Sequence, residues 1–425
     1  MKILYVGRLA IPIRDVLTGK NESEITGWPA YFQPVYRLLK QGNELDFVII
    51  SDLKSFDIKV DWLKSEQIVE NVFIDENKRS RFGLFSKVFY KFYHDLKFKY
   101  LVKNAIKRKK YDFVYCQEID GYWGNVYANK YHVPCGVRVY GDTFYSRGKT
   151  YSKYEYIKKH GILGLFLLSP RIVKLYKSKK SFMLTTADGT HGDETYEYLK
   201  PKHNSYDFYY WKTGVDKKPP VKEEDLEDKI RGLDFVVYPA RVDALKRQDV
   251  AIDVLSSIHS KGYKLHLFLI GQVSNERYFR YLGDRIKKYG LEEYVHFTGG
   301  VTQNQVKIYA QHSIAALLTS DLSNRGNVFF ELFSIGVPII SFNDGSLDGY
   351  IENEKNGFLA DDVLSMTNYL INIIISPSIR DRISRNAIRC SKEKVLSSEE
   401  RFSLEIRLIK KYALEDSKII LPSKL

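Results

Sequence analysis

The chain has 425 residues, 44% of them hydrophobic and 14% aromatic, which is enough for more than one core and excludes an intrinsically disordered protein. Its three cysteines, Cys116, Cys135 and Cys390, form no C-x-x-C pair, which argues against a zinc knuckle or a disulfide framework and fits a reducing cytoplasm. The net charge of +14 suits an anionic partner, but no DNA- or RNA-binding motif accompanies it, so a nucleic-acid role is not expected.

In chain order, MKILYVGRLA reads as a first buried strand over 2–6 and is too short an apolar run for a signal peptide. The loop ITGWPAYFQPVYRLLKQGNEL leads into a helix over 29–41, and Gly27 either lets the backbone approach a ligand or simply turns the chain. A strand over 45–50 follows. A helix is predicted over 85–109, inside a basic, aromatic stretch running from 78 to 110. Strands at 113–116 and 135–140 carry Gln117, Glu118 and Asp120, and then Arg138, Tyr140 and Asp142, at or beyond their carboxyl ends. A second basic stretch, 153–180, surrounds the apolar GILGLFLL; His191 in TTADGTHGDE reads as structural. Neither 161–168 nor 371–375, the longest apolar runs, reaches the roughly 20 residues of a membrane span. Basic residues interleaved with aromatics fit either a solvated helix face or an anionic membrane surface.

The segment DKKPPVKEEDLEDKIRG, 216–232, interrupts the pattern with paired prolines and dense charge, and reads as a linker followed by a short surface helix. A second α/β series then begins. Strands are predicted over 235–239, 265–270, 295–298, 315–319 and 338–342, and helices over 248–260, 276–289, 303–310 and 327–335. The implied fold class is α/β, with two doubly wound Rossmann-like domains facing across a cleft. The domains would span 1–215 and 216–397.

Two segments of the second half carry chemistry. In YPARVDALKRQ, Arg241 and Lys246 follow a strand's carboxyl end, where two cations suit a diphosphate and its developing charge on departure. In LTSDLSNRGNVFFELFSIGVPII, a polar loop from Ser323 through Asn324, Arg325 and Gly326 to Asn327 precedes a helix. Its first N–H groups attract phosphate. Glu331, one turn in, is either an acceptor for ribose hydroxyls or an acid stabilised by the helix dipole. With no Asp-x-Asp motif at a strand end in this half, no divalent metal is implied, and no cofactor beyond the donor substrate is expected.

These blocks resemble the retaining glycosyltransferases of the two-Rossmann, family-4 class (GT-B type). TGVD at 213–216, Arg241 with Lys246, LFLIG ending at Gly271, VHFTGGV at 295–301, ELFSIGVPII with Glu331, and NGFL at 356–359 occur in the family's order. The resemblance implies a nucleoside diphosphate sugar as donor, held by Arg241, Lys246, Gly271, the 323–327 loop and Glu331. It also implies transfer with retention, in which the leaving phosphate oxygen takes the acceptor proton. The N-terminal domain would bind the acceptor through Gly27, Glu118, Arg138 and Tyr140. Glu118 and Asp120 are the acidic candidates for the acceptor hydroxyl. A C-terminal helix over 398–414 would pack back on the first domain. One departure stands out. The family has two glutamates separated by seven residues; the second matches Glu331, and the first, a donor-sugar contact, corresponds to position 323, which is Ser323 here; Asp321 is close but two residues out of register. The expected acceptor is a saccharide or lipid-linked precursor of surface polysaccharide, reached from the cytoplasm at the inner face of an anionic membrane. Alternatives are a non-catalytic sugar-nucleotide-binding relative or scaffold, and a sugar-nucleotide epimerase on the same fold.

Overall fold

The computed structural model describes residues 1–9, 11–20, 32–53, 57–74, 84–140, 145–146, 149–150, 169–189, 192–201, 205–217, 230–320 and 323–425. Gly27, Asp142, His191, Asp321, most of the 216–232 linker, the apolar run 161–168 and large parts of both basic stretches lie outside the described residues. The chain divides into two compact units, one made of Met1–Lys212 with Glu400–Leu425 and the other of Thr213–Glu399.

The first unit is built on a seven-stranded parallel sheet: β1 (Lys2–Arg8), β2 (Glu44–Ser51), β3 (Ile68–Phe73), β4 (Phe113–Gln117), β5 (Cys135–Val139), β6 (Phe182–Thr186) and β7 (Asp207–Trp211), in the order β3-β2-β1-β4-β5-β6-β7. Alternation along β1 sends Leu4 and Val6 to one face and Ile3 and Tyr5 to the other, so each face has its own core. On the Leu4 face lies the long helix Leu84–Arg108, which contributes Phe98, Val102, Ala105 and Ile106. On the Ile3 face lie Gln33–Lys40 and the C-terminal helix Ser398–Ala413, the latter through Ile406, Leu408 and Ile409.

The second unit repeats the plan with six strands: β8 (Phe235–Pro239), β9 (His266–Ile270), β10 (Val295–Gly299), β11 (Ala315–Leu318), β12 (Ile339–Phe342) and β13 (Phe358–Ala360), ordered β10-β9-β8-β11-β12-β13. All pairings are parallel. Its helices start and stop on local chemistry. Asn275 caps Glu276–Tyr289 through Tyr278 N–H, and Gly290 ends that helix at φ 64°. Thr302 and Gln305 form a reciprocal cap at the start of Gln303–His312. In both sheets the strand order reverses beside the first strand, between β1 and β4 and between β8 and β11. Loops diverge there and leave a crevice at the carboxyl ends.

Candidate functional site

In the second unit the reversal point gathers the loops that the sequence singled out. Arg241 follows β8 and is exposed, and Lys246 ends a short 3-10 turn, Ala244–Lys246, whose entry is capped by Asp243 accepting from Leu245 N–H at 2.9 Å. That turn is fastened to the end of β11. Thr319 Oγ1 donates to Arg247 O at 2.7 Å, Ser320 Oγ donates to Leu245 O at 3.1 Å, and Tyr238 OH donates to Lys246 O. The diphosphate candidates and the 323–327 loop are therefore held against each other by side chains that themselves need contact no ligand.

Gly271, after β9, is required by close approach. A Cβ there would stand 2.3 Å from Ala240 O, next to Arg241. The end of β10 joins through a bridge between Gly271 and Gly299.

In the 323–327 loop, Ser323 Oγ accepts from Arg325 N–H at 3.1 Å and so closes a turn. Asn324 is buried: its Oδ1 accepts from Ser320 N–H at 2.9 Å and its own N–H donates to Ser346 Oγ at 2.9 Å. Asn324 Nδ2 also reaches Asp344 Oδ2 at 3.5 Å, which brings to this loop a carboxylate that sequence reading missed. The Arg325 guanidinium lies 5.8 Å from the Tyr350 ring centroid. Gly326, which has no side chain to cap with, precedes the helix Asn327–Ser334. Asn327 Oδ1 accepts from Thr213 Oγ1 at 2.9 Å.

Among the described acids of this unit Glu331 is the most perturbed. The helix has no acid in its first turn, so the dipole does not account for Glu331. The residue is only 8% exposed, and burial pushes its carboxyl up to about 7. Gln303 Nε2 donates to Glu331 Oε1 at 2.6 Å. Lys307, also buried, lowers the carboxyl's pKa but is itself paired with Asp216 Oδ2 at 3.0 Å. Gln303 and Lys307 lie on the helix after β10 and were not foreseen.

In the first unit the acceptor candidates separate. Glu118, just past β4, has φ 54° and ψ −158°, a region that non-glycine residues occupy at a cost of about 1–3 kcal/mol. Its N–H donates to Arg138 O at 2.8 Å, and its Oε1 accepts from Tyr140 N–H at 2.5 Å. Asp120 is half-buried and paired with Arg8 at 3.1 Å.

Arg138 does not face an open surface, and this corrects the expectation of an acceptor contact. Along β5, Cys135, Val137 and Val139 point to the Leu4-face core, which sends Arg138 to the opposite face, under the C-terminal helix. There it is 1% exposed, donates to Leu184 O at 3.2 Å and Thr186 Oγ1 at 2.8 Å, and pairs with Glu405 at 3.4 Å. Arg401 pairs with the same carboxylate at 2.9 Å. Tyr140 is half-buried, with its ring under the Arg138 guanidinium. Among the described residues no group of three or more His, Cys, Asp or Glu gathers as for a metal ion, and no helix is long and apolar enough to cross a membrane.

Comparison with known proteins fits this geometry. Residues 222–389 match the family model described as "Glycosyl transferases group 1". Over 199 residues the chain is 25% identical to alpha-monoglucosyldiacylglycerol synthase of Acholeplasma laidlawii, covering 44% of this chain and 49% of that protein. Over 167 residues it is 27% identical to GDP-mannose-dependent alpha-(1-6)-phosphatidylinositol monomannoside mannosyltransferase of Mycobacterium tuberculosis, covering 36% and 42%. The chain thus matches about half the length of these curated relatives. Among solved structures, sucrose-phosphate synthase of Thermosynechococcus elongatus superposes with a TM-score of 0.68 at 15% identity, covering 98% of this chain and all of that one. Anabaena HepE, solved with UDP-glucose, gives 0.64 at 14% identity, covering 96% and 98%. The fold is GT-B, shared with these solved structures, and residues 222–389 within it are similar to the glycosyl transferases group 1 domain.

Proposed function

We propose that the protein is a retaining glycosyltransferase of the family-4 class that moves a sugar from a nucleoside diphosphate sugar to a lipid-linked or surface-polysaccharide acceptor. The observation that carries this reading is the fastening of the Ala244–Lys246 turn to the end of β11, beside a helix N-terminus and a buried glutamate. Arg241 and Lys246 neutralise the leaving diphosphate. The N–H groups at Asn327 receive a phosphate, and Glu331, oriented by Gln303, accepts from the ribose hydroxyls. The donor C1–O bond breaks as the acceptor oxygen bonds to C1 on the same face. The departing phosphate oxygen takes the acceptor proton. With Ser323 in place of a glutamate, Asp344, the carboxylate that Asn324 reaches, is the candidate to meet the donor sugar.

In the first unit, Glu118 is the candidate to meet the acceptor, being the strained acid at a strand's carboxyl end, with Asp120 beside it; Gly27 remains a candidate from sequence alone. The names of the relatives, an alpha-monoglucosyldiacylglycerol synthase and a phosphatidylinositol monomannoside mannosyltransferase, favour a lipid acceptor. So does the long helix, which exposes Phe92 (55%), Leu96 (46%) and Tyr100 (63%) at four-residue spacing beside Lys97. This face suits the cytoplasmic surface of an anionic membrane, with the protein bound peripherally.

The test is to incubate the protein with UDP-, GDP- and ADP-sugars and a membrane lipid extract, following nucleoside diphosphate release and the anomeric configuration of the product. An α-product from an α-donor supports the reading. Binding without transfer or hydrolysis supports instead a sugar-nucleotide-binding scaffold, the reading that Ser323 favours.

A further inference from the structure

At the carboxyl ends of β1 to β4, on the face covered by the long helix, the first unit holds a cavity of about 160 Å³. Its walls are apolar: Ile50 from β2, Val72 and Ile74 at the end of β3, Ile119 after β4, Phe98 from the helix and Trp123. Arg8, Asp120, Asp95 and Arg171 stand at its lining with His94.

Apart from His94, whose buried Nδ1 has no hydrogen-bond partner, the charged groups there are engaged with one another. Arg8 pairs with Asp120, Arg171 pairs with Asp95, and Trp123 Nε1 donates to the second Asp95 oxygen at 2.9 Å. Lys99 Nζ lies 4.9 Å from the Trp123 ring centroid and the Arg171 guanidinium 5.9 Å, so the indole is taken up by cations. A sugar entering this space would find no free stacking platform and, among the described lining residues, one unpartnered polar atom, His94 Nδ1, to replace the several hydrogen bonds its hydroxyls lose with water. An aliphatic chain needs neither and gains by leaving water. Lys99 does not line the cavity, but its place over the Trp123 ring adds a third cation beside the Arg8–Asp120 and Arg171–Asp95 pairs, a local excess that suits an anionic head group. The helix that supplies Phe98 and His94 to the lining also exposes Phe92, Leu96 and Tyr100.

We infer that this cavity binds one aliphatic chain of a lipid that carries an anionic head group. The chain lies against Ile50, Val72, Ile74 and Ile119, and the head group lies beside Arg8 and Arg171. The inference rests on the lipid-acceptor reading above and deepens it by giving the lipid a place.

The experiment uses the full chain and decanoate brominated at its terminal carbon, because bromine quenches a nearby indole. The chain has four tryptophans, so Trp123→Phe identifies the quenched one. Saturable quenching below the micellar concentration, lost in Trp123→Phe, is expected. Ile74→Phe, or Ile119→Phe if the first variant does not give the parent circular dichroism spectrum, fills the cavity and weakens binding by about tenfold, the equivalent of excluding two methylene groups. Decanol, with the same chain and no charge, binds more weakly than decanoate. Absence of saturable quenching, undiminished quenching in Trp123→Phe, or tighter binding of methyl glucoside than of decanoate overturns the inference. Transfer to a lipid acceptor without decanoate binding removes the cavity's role and leaves the transferase reading standing. Decanoate binding with no transfer does the reverse.

Discussion

Replacing Glu331 by glutamine perturbs stability and ligand affinity in opposite directions. The carboxyl is 8% exposed and its pKa rises from 4.5 to about 7, chiefly because burial disfavours the charge. The folded state therefore holds a proton that the unfolded state releases between these values. Stability of the C-terminal unit falls as pH rises through that window and levels off above it. A rise of about 2.5 units, at about 1.36 kcal/mol each, amounts to roughly 3 kcal/mol forgone at pH 8. Glu331→Gln keeps an oxygen to accept from Gln303 and carries no charge. Its urea midpoint should exceed the parent's at pH 8 and approach it at pH 4. The ribose hydroxyls meanwhile lose a charged acceptor worth about 1.5–3 kcal/mol, so nucleotide affinity by calorimetry should weaken about 10- to 100-fold. Lys307 offers no substitute, because an ammonium group accepts no hydrogen bond. A variant less stable than the parent at pH 8, or one with unchanged nucleotide affinity, refutes this account of Glu331.

Arg241→Ala or Lys246→Ala should lower kcat by about 100-fold or more, since each removes a fixed cation from the departing diphosphate; near-parent turnover would sink the assignment. Glu405→Gln leaves Arg138 and Arg401 buried without a compensating charge, and should cost about 3–5 kcal/mol of the N-terminal unit's stability in denaturant titration; an unchanged midpoint would contradict this. Flotation with anionic vesicles should recover the protein at low salt and less at high salt, and Leu96→Ser with Tyr100→Ser should reduce recovery. Failure to float at low salt would remove the membrane contact.

Much of the second unit is legible in its sequence because its determinants are local. Phe235–Pro239, Gln248–Ser260 and Glu276–Tyr289 fall at the predicted bounds, where apolar runs, caps and glycine stops coincide. The edge strands were harder. β3, Ile68–Phe73, has mostly half-buried residues and lacks the apolar run that marks β1 or β8. β7, Asp207–Trp211, is an aromatic edge strand without a clear alternation.

The site divides in the same way. Arg241, Lys246 and Glu331 are found from their place after strands. Their supports are not, because Thr319, Ser320 and Gln303 act through tertiary hydrogen bonds across 28 to 75 residues. Arg138 shows the limit most plainly. Its place at a strand's carboxyl end suggested a ligand contact, yet strand parity turns it into the core toward Glu405. That same carboxylate accepts from Tyr115, 290 residues earlier in the chain. Nothing near position 138 announces this partner.

The most direct test of a sugar-nucleotide site in the C-terminal unit is thermal unfolding of the full chain with UDP-, GDP- and ADP-sugars in turn. At about 100 times its dissociation constant the true donor should add about 2.7 kcal/mol and raise Tm by several degrees, and the Arg241→Ala, Lys246→Ala double variant should not respond. If no sugar nucleotide shifts Tm, or if the double variant shifts as far as the parent, the site is not where Arg241, Lys246 and Glu331 put it.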